Sequence, residues 1–162
     1  MIVHVDLRAA RSIDASPEVV FGFLESFERH LELIDDRVVG LSVGETGSQV
    51  RLRGPLGVGR TVRTLLTCLK APRSIVGRVE AGPRTRGTVR WSIEPSGRGS
   101  RVEVLACADR LGLLDQILVA VGGRRWLARS LRLALERLDA RVCQPVAASG
   151  GKDAVRHGVF IS

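Results

Sequence analysis

The last regular pattern in the chain spans Leu111 to Val142 and has the spacing of a helix. Its apolar residues recur every three or four positions, and most of its arginines fall on the opposite side. Gly122 and Gly123 interrupt the pattern. The spacing predicts one long amphipathic helix, with the glycine pair as a candidate hinge and the half before it as the place of a pocket opening. Its apolar positions are Leu113, Leu114, Ile117, Leu118, Val121, Leu127, Leu131, Ala134, Leu135, Leu138 and Val142.

Upstream of this helix, most of the sequence alternates between apolar and polar residues with the period of a half-buried strand. Ile2 to Ile13 predicts the first strand. Ser16 and Pro17 predict a helix start, because a serine oxygen accepts from the first free N–H groups and proline suits the first helical position. A second short helix is expected around residues 28–34. From Arg37 to Ala108 the period of two returns, and Gly/Pro turns divide it into six further strands.

This order of elements predicts an α+β fold. Strands joined by short turns form an antiparallel meander, and the first strand can pair with its far edge. We therefore expect a seven-stranded curved antiparallel sheet wrapped around the long C-terminal helix. Residues 1–143 are expected to form one domain, whereas residues 144–162 are rich in Gly, Ala and Ser and predict a flexible tail.

The composition is that of an ordinary globular protein, with 44% hydrophobic residues and no apolar run as long as a membrane span. The N-terminus shows no basic-then-apolar leader, so the sequence predicts a cytoplasmic protein. The net charge of +8 comes almost entirely from arginine and is spread along the chain. It is typical of a solvated basic surface, and the alternative is a site for RNA, a ribosome or an anionic membrane surface. Candidate residues for that site are Arg124, Arg125, Arg129 and Arg132.

The sequence contains no motif that predicts a cofactor, a metal site or a catalytic group. The three cysteines lie far apart, and we expect buried thiols rather than disulfides or zinc ligands. The three histidines are equally scattered. Gly54 to Thr61 has the glycine spacing of a phosphate-binding loop, but it has arginine in place of lysine and leads into a strand pattern. The chain also has no Gly-x-Ser-x-Gly elbow, no inward pair of carboxylates and no tyrosine.

Apolar and aromatic residues on inward faces are candidates for the wall of a ligand cavity beneath the helix. Trp91 on a strand and Trp126 on the helix are each more typical of a core, but together they would share such a space. Arg60 and Thr64 lie on one strand face with apolar residues and are candidate polar anchors; the opposite face is nearly as apolar, so both registers stay open. The candidate cavity residues are Phe21, Phe23, Leu52, Arg60, Val62, Thr64, Leu66, Val89, Trp91, Leu114, Ile117, Leu118 and Trp126.

The strand-to-helix junction reads Ile13-Asp14-Ala15-Ser16-Pro17-Glu18-Val19-Val20-Phe21, and a long strand follows Gly54-Pro55-Leu56. With the Trp91 strand and the closing helix, these stretches resemble the START-like (SRPBCC) superfamily, which includes the birch-pollen allergen. Within it, the bacterial polyketide cyclase/dehydrase and lipid-transport group is the most similar. The resemblance covers about Val3 to Val142. It implies a helix-grip fold with lipids, polyketides or other hydrophobic ligands bound between sheet and long helix.

Three functions follow from these patterns. The first is non-catalytic binding or transport of a hydrophobic small molecule or lipid. The second is a polyketide cyclase, aromatase or dehydratase in which Arg60, Thr64 or Ser92 steers the substrate. The third is an adaptor for ribosome, RNA or membrane. The sequence identifies no catalytic residue, which favours the first function, and it indicates no oligomeric state.

Overall fold

The computed structural model describes residues 5–34, 38–43, 47–53 and 57–144. Its first strand leads into two short helices, a run of strands and a C-terminal helical region. The strands are β1 (Val5–Ile13), β2 (Val38–Val43), β3 (Gly47–Arg53), β4 (Gly59–Lys70), β5 (Ser74–Ala81), β6 (Thr85–Ser96) and β7 (Gly99–Arg110). The helices are α1 (Pro17–Leu24), α2 (Phe27–Glu32), α3 (Leu113–Leu118) and α4 (Arg124–Cys143).

Within the described residues, the strands form one antiparallel sheet in the order β1-β7-β6-β5-β4-β3-β2. The first strand pairs with the last, with Val5 opposite Ala108 and Ile13 opposite Ser100. The predicted α+β class, with a curved antiparallel sheet and a long C-terminal helix, is therefore confirmed. The meander arises because consecutive strands are joined by tight turns, as at Gly97, where a positive φ of 58° suits a residue without a side chain.

The junction between β1 and α1 has the predicted helix cap. The backbone N–H of Val19 donates to the Ser16 hydroxyl over 3.4 Å, and Pro17 occupies the first helical position. The hydroxyl of Ser100, at the start of β7, donates to the carbonyl of Ala15 over 2.6 Å. This part-buried bond holds the strand-to-helix junction against the turn end of the β6–β7 hairpin.

The predicted C-terminal helix is interrupted at the glycine pair, where the sequence placed a candidate hinge. α3 ends at Leu118, a wide turn follows, and α4 begins at Arg124. Inside the turn, Val121 has φ −87° and ψ 19°, and Gly122 has φ 114° and ψ 0°. A φ of 114° is strained for any residue with a Cβ atom, so Gly122 is the position that allows the kink. The candidate hinge is thus a kink that separates two helices.

The well-filled core lies between one half of the sheet and the helices. It joins β1, β6 and β7 to α1 and to the C-terminal half of α4. Val102 and Val104 of β7 and Leu138 of α4 are completely buried there. Burial of such side chains stabilises the fold by about 1.5–3 kcal/mol each.

Two further expectations concern the cysteines and the tail. The prediction of buried thiols is wrong: Cys68 and Cys107 are half-buried, and Cys143 is exposed at the end of α4. Both half-buried cysteines lie on long strands whose faces are not fully covered, which a sequence pattern does not reveal. Of the predicted tail, residues 145–162 lie outside the described residues.

Candidate ligand cavity

A cavity of about 220 Å³ lies between the sheet and α4. Five strands, α2 with the turn that follows it, and the middle of α4 provide its walls. The lining residues are mostly aliphatic, so the cavity has the character of a site for apolar ligands. They are His30, Leu33, Ile34, Ser48, Val50, Leu52, Val62, Thr64, Leu66, Ile75, Gly77, Val79, Val89, Trp91, Val104, Ser130, Leu131 and Ala134.

The cavity exists because one half of the sheet has no helix packed tightly on its inner face. On β4 the alternate residues Val62, Thr64 and Leu66 point inward, yet each stays half-buried. The equivalent inward residues of β7, Val102 and Val104, are completely buried by α1 and α4. The inner face of the sheet therefore has two parts, a filled core under β1 and β7 and an unfilled space mainly under β3–β5, with Val104 of β7 at the boundary between them.

Four polar side chains line this largely apolar space: His30, Ser48, Thr64 and Ser130. Ser130 donates its hydroxyl hydrogen to the carbonyl of Trp126, one turn earlier in α4, over 2.8 Å. Ser48 is buried on β3, and Thr64 lies opposite it on β4. Uncharged groups of this kind orient a ligand through single hydrogen bonds without adding a buried charge.

His30 is the one titratable side chain among the described lining residues. Its ring meets the ring of Trp91 edge-on, with the centroids 5.6 Å apart. Burial lowers the pKa of His30 from 6.5 to about 4, although the nearby carbonyls of Leu24 and Ser26 offset part of the effect. Nδ1 has no hydrogen bond of normal geometry to a described residue. At neutral pH the cavity is therefore bordered by an uncharged imidazole.

The structure brings six of the candidate cavity residues together on the cavity wall. The register left open for β4 is resolved, because Val62, Thr64 and Leu66 face inward whereas Arg63 and Leu65 face outward. The six residues are Leu52, Val62, Thr64, Leu66, Val89 and Trp91.

The other seven candidates lie elsewhere. Phe21 and Phe23 belong to the solid core beneath α1. Trp126 is half-buried on α4 and is not among the residues that line the cavity with Trp91. Leu114 and Ile117 of α3 are exposed, and Leu118 is buried below them. The sequence pattern is continuous from α3 to α4, but the kink gives the two helices different directions. The apolar residues of α3 therefore do not face the cavity that α4 borders.

The seventh candidate outside the cavity wall is Arg60, which forms an ion pair with Asp115. Its guanidinium donates to Asp115 of α3, which also accepts a hydrogen bond from Thr85 of β6. The Thr85 hydroxyl in turn accepts from the backbone N–H of Gly112 over 2.9 Å. This network, called the α3 latch below, joins the start of α3 to the first residues of β4 and β6. Ser92, proposed with Arg60 for catalysis, alternates with the buried Trp91 and Ile93 and so lies on the outer face of β6.

Several residues that line the cavity were not predicted from the sequence. Ile75, Gly77 and Val79 alternate along β5 and share a face with the inward positions of the neighbouring strands, so their pattern was a usable signal. Leu131 and Ala134 belong to the predicted apolar stripe of α4. His30 had no such signal, because a lone histidine in a short helix indicates nothing until its neighbours in space are known.

Two general features of the described residues bear on other kinds of site. Among them, no three side chains of the His, Cys, Asp or Glu type come together as a metal site would require. Across the same residues, no helix has the length and apolar character needed to cross a bilayer.

A helix-grip sheet with a cavity beside its C-terminal helix is the architecture of the START-like class. The family model for polyketide cyclase/dehydrase and lipid transport matches residues 4–142, so the chain belongs to this family. No curated protein matches the chain in sequence.

Similar solved structures share the fold at low sequence identity. A START superfamily protein from Mycobacterium smegmatis is 15% identical, with a TM-score of 0.66, over 86% of this chain and 97% of that one. The Mll3558 protein from Rhizobium loti is 20% identical, with a TM-score of 0.65, over 86% and 98%. A conserved protein from Geobacillus kaustophilus is 16% identical, with a TM-score of 0.66, over 85% and 95%.

Proposed function

We propose that this protein binds or carries a mainly apolar small molecule or lipid between its sheet and α4. The observation that supports this proposal is the apolar cavity of about 220 Å³. Such a wall favours a ligand that removes apolar surface from water, at roughly 25 cal/mol per Å². Ligand pockets usually enclose about 300–1,000 Å³. The cavity therefore suits a compact ligand, or one ring system or chain segment of a larger one.

The part of the ligand inside the cavity is expected to be uncharged. No Asp, Glu, Lys or Arg lies among the described lining residues, and His30 is neutral at physiological pH. An enclosed carboxylate or ammonium group would lose its hydration without a partner charge. A hydroxyl or carbonyl group, by contrast, has His30, Ser48 and Thr64 as hydrogen-bonding partners.

The family description names both cyclases and lipid transport, and the arrangement of polar groups favours binding over catalysis. Of the three residues proposed to steer a polyketide, only Thr64 lines the cavity. His30 has a pKa of about 4, which makes its imidazole a weak general base near neutral pH. Binding without chemistry therefore has the better support.

A matched pair of substitutions on β4 tests the proposal. Leu66→Trp enlarges a side chain that lines the cavity, whereas Leu65→Trp makes the same type of change one residue away on the outer face. Aminoanthracene, a neutral apolar fluorophore, serves as the probe. The wild type should bind it with enhanced emission, Leu66→Trp should weaken binding roughly tenfold or more, and Leu65→Trp should bind as the wild type does.

Thermal unfolding of both variants provides the control for folding. Native mass spectrometry of gently purified wild-type protein should also reveal a copurified apolar molecule that Leu66→Trp lacks. The proposal fails if the folded wild type binds no probe, or if the inward and outward variants lose binding equally.

A further inference from the structure

The short helix α3 and the turn after it present an unusually apolar surface to solvent. Leu113, Leu114, Ile117 and Val121 have exposed fractions of 71%, 50%, 52% and 66%. Leu113, Leu114 and Ile117 lie at helical spacing on α3. Val121 follows them in the turn, and the four residues together are called the α3 tip below. Single exposed apolar residues are ordinary, but four large ones together indicate a surface that meets an apolar partner.

The α3 tip is held in place and is not a frayed end. At its start, the α3 latch connects Asp115 to Arg60 and Thr85. At its end, Leu118 and Gly123 are buried, and the positive φ of Gly122 sets the direction of the chain. The structure therefore fixes these apolar side chains on the outside at the cost of leaving them in water.

Unpaired arginines flank the α3 tip along the chain and in space. Arg110 precedes it, Arg124 and Arg125 follow it, and the Cβ atom of Arg84 lies 3.3 Å from the Cβ position that a side chain at Gly112 would have. All four are exposed, and none forms an ion pair with a described residue. The acidic groups of the same region are Asp109, which is exposed, and Asp115, whose charge is paired within the latch.

An apolar tip with basic flanks fits the surface of an anionic bilayer. Leucine, isoleucine and valine enter the boundary between headgroups and acyl chains, and arginines near that surface meet anionic lipid headgroups. RNA offers no comparable partner for aliphatic side chains, since its proteins stack aromatic rings on bases. A two-fold contact between copies through this surface would bring the four arginines of each copy together.

From these observations we infer that the α3 tip docks this protein on anionic lipid membranes. The docking surface consists of Leu113, Leu114, Ile117 and Val121, with Arg84, Arg110, Arg124 and Arg125 around it. The contact is peripheral, because the segment is far too short to span a bilayer. This inference does not depend on the cavity, since none of these residues lines it.

Vesicle sedimentation with the full chain tests the inference. The probes are vesicles of phosphatidylcholine alone and of phosphatidylcholine mixed equally with phosphatidylglycerol. The wild type should sediment with the mixed vesicles and much less with the neutral ones, and binding should fall as salt rises. Ile117→Ser with Val121→Ser should weaken binding to mixed vesicles by roughly tenfold or more. Arg124→Gln with Arg125→Gln should cost about fivefold for each arginine.

The chain offers matched controls far from the α3 tip. Leu69→Ser removes an apolar side chain that is 50% exposed near the end of β4, beyond the cavity. Arg98→Gln removes an exposed arginine at the β6–β7 turn, which the length of β7 separates from α3 by roughly 35 Å. Both variants should bind vesicles as the wild type does.

A fluorescent variant provides a second test that does not rely on a loss of binding. Leu114→Trp should show a blue shift of its emission on mixed vesicles, whereas Leu69→Trp should not. Absence of vesicle binding by the folded wild type would overturn the inference. So would equal losses in tip and control variants, or a tip that instead mediates RNA binding or self-association with no affinity for vesicles.

Discussion

At the scale of single residues, His30 shows how burial changes the chemistry of a side chain. Its imidazole lies against Trp91 at the wall of an apolar cavity, and burial lowers its pKa to about 4. The unfolded chain restores a pKa near 6.5. As pH falls from 6.5 towards 4, the unfolded state takes up a proton and the folded state does not, so stability is lost across this range.

The first prediction is therefore a pH-dependent stability that requires His30. Between pH 7.5 and pH 5, the two pKa values imply a loss of about 2 kcal/mol in the free energy of unfolding. Urea titrations at the two pH values measure this loss. His30→Leu should show a loss smaller by about that amount, since it removes the buried titrating group. An unchanged pH dependence in His30→Leu would show that other groups are responsible.

At the scale of elements, the kink between α3 and α4 decides which apolar residues face the core. α4 carries Leu135 and Leu138 into the core, whereas α3 keeps Leu114 and Ile117 in solvent. The turn between them depends on Gly122, whose φ of 114° is costly for other residues. The kink therefore creates two surfaces from one continuous apolar pattern.

The second prediction compares the same substitution at two glycines. A Cβ atom would meet nothing within 4 Å at either Gly22 or Gly122, so packing is not a factor. Gly122→Ala should lower stability by about 1–2 kcal/mol, because its backbone is left-handed. Gly22→Ala, inside α1, should raise stability by up to about 1 kcal/mol, because alanine favours helices. Chemical denaturation measures both, and equal effects would contradict this account of the kink.

At the scale of the whole molecule, one sheet supports two different interiors. The core joins β1, β6 and β7 to α1 and α4, whereas the cavity is bordered mainly by β3–β5. Val89, Trp91 and Val104 lie at the boundary between the two and also line the cavity. The filled half stabilises the fold through buried apolar surface, which leaves the other half available for a ligand. Under the proposed function, a ligand in the cavity would complete the packing of the sheet.

The third prediction is that an apolar ligand stabilises the protein. Aminoanthracene at about one hundred times its dissociation constant should add about 2.7 kcal/mol to the free energy of unfolding, because it binds only the folded chain. Calorimetric titration should also give a negative heat-capacity change, the mark of apolar burial. Leu66→Trp serves as the comparison, and an equal rise in its melting temperature would place the probe outside the cavity.

The sequence by itself determined the elements and their order. Alternation along the strands, the cap at Ser16 and the helical spacing after Leu111 are local properties, and each was recovered in the structure. It also determined which face of β6 carries Trp91, because period-two alternation separates the faces of a strand. Together with the resemblance to the START-like superfamily, these patterns predicted the α+β helix-grip class.

Only the tertiary structure decided which apolar faces are covered and which are not. Phe21 and Leu66 both look like core residues in sequence, yet α1 buries one and the other borders a cavity. The same holds for Arg60, which forms an ion pair with Asp115 across 55 positions of sequence, and for His30, whose ring packs against Trp91 far along the chain. Burial and charge pairing depend on neighbours in space, and a one-dimensional pattern does not contain them.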